Sequence, residues 1–321
     1  MTFIGSPRIL ITGAQGFVGR YLVARLLELL PPNGELILLD SHRAESQLRC
    51  RNLLADITDA VRVDEIVKTE QPTHLIHLAG IAAVTAATAD VRLAWAVNFA
   101  GTQNLALAVA AFAPACRFVF CSSAEVYGAS FVDGKRLDET ALLQPINAYG
   151  AAKAAADIMI GQMARNGLKA IRLRPVNHTG PGQSVQFVVP AFAQQIVRIE
   201  RGEYAPKISV GDLSTARDFL DVRDVVEAYA RTLTMFDDID NGCAINIASG
   251  NVHLVRNILD ELLALSPIKI EIAVDPARLR NSDTPVVRCD AALARRILQW
   301  QPMHAWQDTL RTVLDFWRAQ K

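Results

Sequence analysis

The stretch Ile9-Leu10-Ile11-Thr12-Gly13-Ala14-Gln15-Gly16-Phe17-Val18-Gly19 constrains the fold more than any other part of the chain. An apolar run leads into glycines at positions 13, 16 and 19, and an amphipathic pattern follows from about Phe17 to Leu30. The order strand, glycine loop, helix gathers backbone N–H groups and the positive end of a helix dipole at one point, where an anionic group is favoured. Gly13 suits a tight turn out of the strand, Gly16 a close approach to a pyrophosphate, and Gly19 tight packing of helix on strand. A glycine triplet alone also fits an ordinary turn. Here the next apolar run, Glu35-Leu36-Ile37-Leu38-Leu39, closes on Asp40, where a carboxylate reaches the hydroxyls of an adenosine ribose. The combination points to dinucleotide binding, with Gln15, Phe17 and Val18 lining the loop between the glycines.

Short apolar runs alternate with helical patterns through the first half of the chain, the mark of βαβ units and a parallel sheet covered on both faces. Strands are predicted near 8–12, 35–40, 50–55, 73–79, 116–122 and 168–173, and helices near 17–30, 60–69, 91–113 and 147–165. Near-continuous apolar runs such as Arg117-Phe118-Val119-Phe120-Cys121 suit strands buried on both faces. After Arg174 the pattern loosens, with Pro175, Gly180, Pro181, Gly182, Pro190, Gly202, Pro206 and Gly211 interrupting 175–215 around one helix near 189–201. A helix from about Val222 to Thr234 follows, then a strand at Ala244–Ala248, a helix at Val252–Leu265, a strand at Lys269–Val274 and a last helix over about His304–Ala319. The fold class is therefore α/β, a Rossmann-type doubly wound parallel sheet with a smaller α/β substrate-binding lobe. The division expected is an NAD(P)-binding domain of residues 1–174 plus about 216–248, and a second lobe of about 175–215 and 249–321.

Charge narrows the partners. Lys and Arg total 33 and Asp and Glu total 33, so no net field attracts nucleic acid or an acidic membrane surface. Cys50, Cys116, Cys121, Cys243 and Cys289 are odd in number and lack a Cys-x-x-Cys pairing, which argues against a disulfide framework or a zinc site and for a reducing cytoplasm. No signal-peptide pattern and no apolar run of membrane-spanning length stands out.

The strand ending at Cys121 runs into Ser122-Ser123-Ala124-Glu125-Val126-Tyr127-Gly128, and later comes Tyr149-Gly150-Ala151-Ala152-Lys153. Tyr149 and Lys153, four apart on a helix, share one face. An ammonium beside a phenol lowers the phenol pKa from about 10 toward neutrality. Tyr149 is thereby the expected acid or base, with Ser123 against the same substrate oxygen and Lys153 also within reach of the nicotinamide ribose.

These residues resemble the extended short-chain dehydrogenase/reductase family over nearly the whole chain. Matching elements are Thr12-Gly13-x-x-Gly16-x-x-Gly19, Asp56-Ile57, Leu78-Ala79-Gly80, Asn98 in Val97-Asn98-Phe99-x-Gly101-Thr102, Ser123, and Tyr149-x3-Lys153. The resemblance implies that Asp56 and Ile57 border the adenine, Leu78, Ala79, Gly80 and Pro175 flank the cofactor, and Asn98 orders the active-site helix. Gly80 stands where alanine is commoner. Asp40 favours NAD(H), because a carboxylate repels a 2′-phosphate, and Arg43 nearby offsets part of that repulsion and leaves NADP(H) open.

The segments Arg174–Gln183, Val210–Leu213, Arg217–Asp224 and Asp275–Pro285 are similar to members of this family acting on GDP-4-keto-6-deoxymannose. Guanidinium groups from separate loops suit a diphosphate, which makes Arg217, Arg280 and Arg278 candidates beside Asn177, while His178 reads as a structural histidine. Asn281 stands where proline is usual. The implied activity is NAD(P)H-dependent reduction of the C4 keto group of a GDP-4-keto-6-deoxyhexose to GDP-D-rhamnose, with a GDP-linked nucleotide sugar held by the second lobe. The alternatives are a GDP-mannose 4,6-dehydratase, for which Glu125 is the C5 base, a nucleotide-sugar 4-epimerase, and a non-catalytic NAD(P)-sensing scaffold. The helices near 91–113 and 147–165 carry the apolar faces of an expected homodimer.

Overall fold

The computed structural model describes residues 3, 5–42, 49–131, 134–278 and 286–320, with the backbone alone for Arg278. Arg43, Arg280 and Asn281 lie outside the described residues.

In chain order the elements begin with β1 (Arg8–Thr12), α1 (Phe17–Leu29), β2 (Glu35–Asp40), β3 (Cys50–Leu54), α2 (Ala60–Glu70) and β4 (His74–His77). Next come α3 (Val84–Ala89), α4 (Val91–Trp95), α5 (Thr102–Phe112), β5 (Arg117–Cys121), α6 (Ala148–Arg165), β6 (Ala170–Pro175) and β7 (Asn177–Thr179). The remainder is α7 (Val188–Glu200), β8 (Lys207–Val210), β9 (Ala216–Asp221), α8 (Val222–Thr234), β10 (Ala244–Ile247), β11 (Val252–Leu254), α9 (Val255–Ala264), β12 (Glu271–Val274), β13 (Val286–Val287), α10 (Ala292–Ile297) and α11 (Trp306–Ala319).

Seven parallel strands form the main sheet in the order β10-β6-β5-β4-β1-β2-β3. The apolar runs of β1, β2, β4 and β5 are buried on both faces, as their composition requires. The strand order reverses between β1 and β4, which opens a crevice at their carboxyl ends. A smaller sheet, β11-β9-β13 with β7 beside β9, and the pair β12-β8 lie apart from it. Of residues 216–248, β10 joins the main sheet and β9 the small one.

Two expectations are corrected. Val252–Leu254 is a strand antiparallel to β9 rather than the first turn of the helix, because its backbone completes the small sheet. The helix expected over 91–113 is interrupted by a π-helical turn at Ala96–Gly101. There Asn98 is fully buried and turned onto a neighbouring loop, where its Oδ1 accepts from Ile81 N at 2.8 Å and its Nδ2 donates to Ile81 O at 3.1 Å.

A buried ionic cluster fixes α6 against the sheet. Asp157 accepts from Arg174 Nε at 3.0 Å and Nη2 at 2.7 Å, and from Arg172 Nη1 at 2.7 Å. Burial alone raises a carboxyl pKa, yet the hydrogen bonds and charge of Arg174, with the charge of Arg172, hold Asp157 below its ordinary value. Arg174 Nη1 also donates to Tyr127 Oη at 2.9 Å, and Tyr127 donates to Asn246 Oδ1 on β10 at 2.8 Å. Asn246 Nδ2 in turn donates to the carbonyls of Leu137 and Asp290, each at 3.2 Å. One polar chain thus ties α6, β6, β10 and two loops.

Candidate active site

A cleft of about 1140 Å³ lies over the carboxyl ends of the central strands, between the glycine loop and the small sheet. Pockets for one small ligand span ~300–1,000 Å³, so this cleft stands just beyond the upper end of that range. The glycine loop fits a dinucleotide by its own geometry. Gly13 has φ +69°, and a Cβ on Gly19 would stand 2.3 Å from Gly13 O, so helix and loop close only on glycine. Above Gly16 a Cβ would meet nothing but Gly13 O, at 3.1 Å, which leaves that face open to the cleft. Helix α1 starts there without a side-chain cap, so its first N–H groups are left for an anion.

Asp40 closes the adjoining strand, with Oδ2 accepting from Gln15 N at 3.0 Å and Oδ1 from His42 N at 3.4 Å. Asp56 follows β3 beside it, its Oδ1 accepting from Thr58 N at 2.9 Å, and Ile57 is buried against Gly101. Phe17, Val18, Leu78, Gly80 and Pro175 line the cleft. Ala79 packs beneath them, and its backbone N–H starts a directed chain: Ala79 N donates to Thr12 Oγ1 at 3.2 Å, and Thr12 Oγ1 meets His77 Nδ1 at 2.7 Å. On the far side His77 Nε2 meets Thr102 Oγ1 at 2.9 Å, and Thr102 donates to Asn98 O at 2.8 Å. Because Thr102 spends its proton on that carbonyl, His77 Nε2 carries a hydrogen and Nδ1 accepts. Burial, aided by the charge of Lys153, pulls His77 well below its ordinary pKa and keeps it neutral. The chain couples the glycine loop to the π-turn through the fully buried side chains of Thr12, His77 and Thr102.

Ser123 follows β5, and its Oγ accepts from Glu125 N at 3.1 Å. Asn147 caps α6 through Gly150 N at 2.8 Å and donates from Nδ2 to Glu125 Oε2 at 3.2 Å. These bonds bring Ser123, Glu125, Tyr149 and Lys153 to one end of the cleft, where Asn177 and Arg217 also line it. The expected depression of the Tyr149 pKa is not found. Burial pushes Tyr149 up to about 12, against a lowering hydrogen bond from Ser123, and Lys153 Nζ donates instead to Cys121 O at 2.8 Å. Burial also brings Lys153 down to about 8. At neutral pH the site thus holds a protonated phenol beside a largely charged ammonium.

On the side away from the glycine loop the cleft is walled by Val185, Phe187, Phe192, Gln195 and Leu213. Only Leu213 falls in a family-like segment, Val210–Leu213, and the others belong to no motif that signals a pocket. Asn147, which caps α6 and donates to Glu125, is not among the residues that the sequence motifs single out. Arg217, on β9, is half-buried; burial lowers its pKa, and the charge of Glu125 works against that lowering. Arg278 and Arg280 fall outside what the described side chains place.

A glycine loop and a Ser–Tyr–Lys group sharing one crevice of a parallel sheet define an NAD(P)-dependent enzyme of the extended short-chain dehydrogenase/reductase type. The chain belongs to the NAD dependent epimerase/dehydratase family, whose profile matches residues 9–248. It is 32% identical over 316 residues to a GDP-6-deoxy-D-mannose reductase of Pseudomonas aeruginosa, covering 98% of both chains. It is 26% identical to a GDP-6-deoxy-D-talose 4-dehydrogenase of Aggregatibacter actinomycetemcomitans, covering 91% of each. Among solved structures, RMD from Pseudomonas aeruginosa complexed with NADPH superposes with a TM-score of 0.85 at 30% identity, over 98% of this chain and 99% of that one. The UDP-glucose 4-epimerase of Thermus thermophilus in complex with NAD gives 0.84 at 26% identity, over 97% and 99%.

Proposed function

We propose that this protein reduces the C4 keto group of a GDP-4-keto-6-deoxyhexose with NAD(P)H, giving GDP-D-rhamnose. The observation that carries the reading is the protonation state of the site. Keto reduction needs a proton donor at the carbonyl oxygen, and Tyr149, its pKa pushed up to about 12, is a phenol at neutral pH. Bound NAD(P)H supplies the hydride to C4. Ser123 and Tyr149 hold the substrate oxygen, Tyr149 transfers its proton to it, and the ammonium of Lys153 steadies the phenolate until water returns the proton. Asn177, Arg278 and Arg280, in a second lobe of about 175–215 and 249–321, are assigned to the diphosphate and sugar together with Arg217 on β9. The reductase from Pseudomonas aeruginosa, alike over almost its whole length, supports the substrate class. Supplying GDP-mannose and GDP-4-keto-6-deoxymannose separately tests the proposal: NAD(P)H is consumed only with the keto sugar. Conversion of GDP-mannose without net cofactor change would replace it with a dehydratase.

Glu125 separates the two chemistries. A dehydratase needs it to remove the C5 proton, whereas in a reductase Glu125 holds Asn147 and its charge acts on Arg217. Glu125→Gln is therefore expected to keep kcat for keto reduction within about tenfold, and a loss rivalling that of the tyrosine variant would sink the assignment.

NAD(H) is the assigned first choice of cofactor. Asp40→Ala removes a carboxylate that serves both the ribose hydroxyls and Gln15 N. Both cofactors should weaken, NAD(H) more, with the preference shifting by roughly ten- to a hundredfold for about 1.4–2.8 kcal/mol. Titration of each cofactor against the variant reads this, and an unchanged preference ratio removes Asp40 from the site.

We further assign a homodimer. Leu93, Trp95, Leu107 and Ile158 expose between 38% and 59% of their surface on the α4–α6 helices, apolar area that a second copy would cover. Sedimentation at micromolar concentration should give twice the 35.1 kDa chain mass, and a monomer alone would refute it. No helix among the described residues is long and apolar enough to cross a membrane, and a reducing cytoplasm is assigned from the odd cysteine count without Cys-x-x-Cys spacing.

A further inference from the structure

Residues 180–187 join β7 to α7 and carry part of the cleft wall, since Gln183, Val185, Gln186 and Phe187 all line it. The first half of this segment makes few bonds of its own. Pro181 has no N–H to give, and among the described residues no backbone N–H donates to Pro181 O or Gly182 O. What holds them comes from α1, 160 positions earlier in the chain: Tyr21 Oη donates to Pro181 O at 2.8 Å, and Arg20 Nη2 to Gly182 O at 3.4 Å. The arginine bond is long and exposed, so water competes for it, whereas the tyrosine bond is short and partly buried. Burial, aided by the charge of Asp221, raises the pKa of Tyr21, so its hydroxyl keeps its proton at neutral pH.

Close packing fixes the same place. A Cβ on Gly180 would stand 2.6 Å from Val222 Cγ1 and 3.6 Å from Phe17 Cζ, so the segment leaves β7 pressed against α8 and α1. Tyr21 itself meets Phe17 edge-on, with centroids 5.7 Å apart and planes at 77°. Gln183 then turns back onto β7, where its Nε2 donates to His178 O at 2.9 Å and its Oε1 accepts from Thr179 Oγ1 at 2.8 Å. Beyond it the bonds are local, Gln186 N to Ser184 Oγ at 3.3 Å and Phe187 N to Ser184 O at 3.1 Å, so the place of residues 184–187 depends on how their root is held. We propose that Tyr21 is a positioning residue for the sugar-nucleotide end of the cleft: its hydroxyl fixes Pro181, and through Pro181 the places of Val185 and Phe187 in the wall that receives the GDP-linked substrate. The inference rests on the nucleotide-sugar reading of that wall and on no property of the dinucleotide site.

Tyr21→Phe deletes the hydroxyl and keeps the ring against Phe17. Hydrogen exchange of the ligand-free protein reads the segment directly: backbone amides within 182–187 should exchange roughly three- to tenfold faster in the variant, the value of one neutral hydrogen bond, while those of β1 and α1 keep their protection. Calorimetry should show GDP bound roughly three- to tenfold more weakly and NAD⁺ within about twofold of wild type. With the keto sugar KM should rise by the same factor and kcat stay within about twofold, a split that a general loss of folding does not produce. Unchanged exchange in 182–187 would overturn the proposal. So would a loss of NAD⁺ affinity equal to that for GDP, which would make Tyr21 a prop of the whole cleft. Equal GDP affinity in the two proteins would overturn it and leave the nucleotide-sugar reading standing. A wild type with no affinity for GDP would overturn that reading and, with it, this role for Tyr21.

Discussion

Tyr149→Phe is expected to lower kcat by on the order of 10²–10⁴ while nucleotide-sugar affinity changes little. The substitution deletes one hydroxyl and leaves the ring packed beside α3 and α4 against Ala87 and Ala94. The cleft keeps its shape, and the loop and arginine contacts are untouched. What disappears is the proton donor, and the aliphatic hydroxyl of Ser123, a far weaker acid than a phenol, does not replace it. The expectation is specific to direction. Since burial holds Tyr149 as a phenol up to about pH 12 in the free protein, reduction should depend weakly on pH through neutrality on its account. Oxidation of the product needs the phenolate and should rise with pH. Single-turnover rates in both directions measure this, and a variant within tenfold of wild type would assign proton donation elsewhere.

Asp157→Asn is expected to destabilise the fold by about 3–5 kcal/mol, the range for removing one partner of a buried charge cluster. The carboxylate is fully buried and serves two guanidinium groups, and an amide leaves both without a counter-charge. Arg174 is itself buried and bonded to Tyr127, so water does not replace the lost anion. Chemical denaturation should show the midpoint falling with an unchanged slope, and a shift below about 1 kcal/mol would show that the cluster relaxes. The variant should be rescued in part by NAD(H), which binds only the folded chain.

The dinucleotide half of the molecule was readable because its signals are local. Gly13, Gly16, Gly19 and Asp40 act through backbone geometry and strand position, and the structure places them as the spacing requires. Tyr149 and Lys153 were legible as one helical face, but spacing does not say where an ammonium points. Lys153 turned to Cys121 O, and burial, a tertiary property, set the phenol pKa. The break at Asn98 was illegible for the same reason, since it depends on a bond to Ile81 seventeen positions away. Val252–Leu254 continues a helical apolar pattern in sequence and becomes a strand only because β9 offers it an edge. The wall formed by Val185, Phe187 and Phe192 with Leu213 comes together only in the fold, because the pattern in 185–192 reads as an ordinary helix start.

The place of β10 has a consequence for how the chain is made. The main sheet is closed on one side by a strand that follows β6 by roughly seventy residues, a delay of roughly 4–14 s at ribosomal elongation rates. Until Asn246 emerges, Tyr127 lacks its acceptor and β6 presents an open edge, while the whole nucleotide loop is already synthesised. Nascent chains of intermediate length therefore carry a strand template exposed to neighbouring polypeptides, and this is the interval in which a chaperone that shields sheet edges has most to protect.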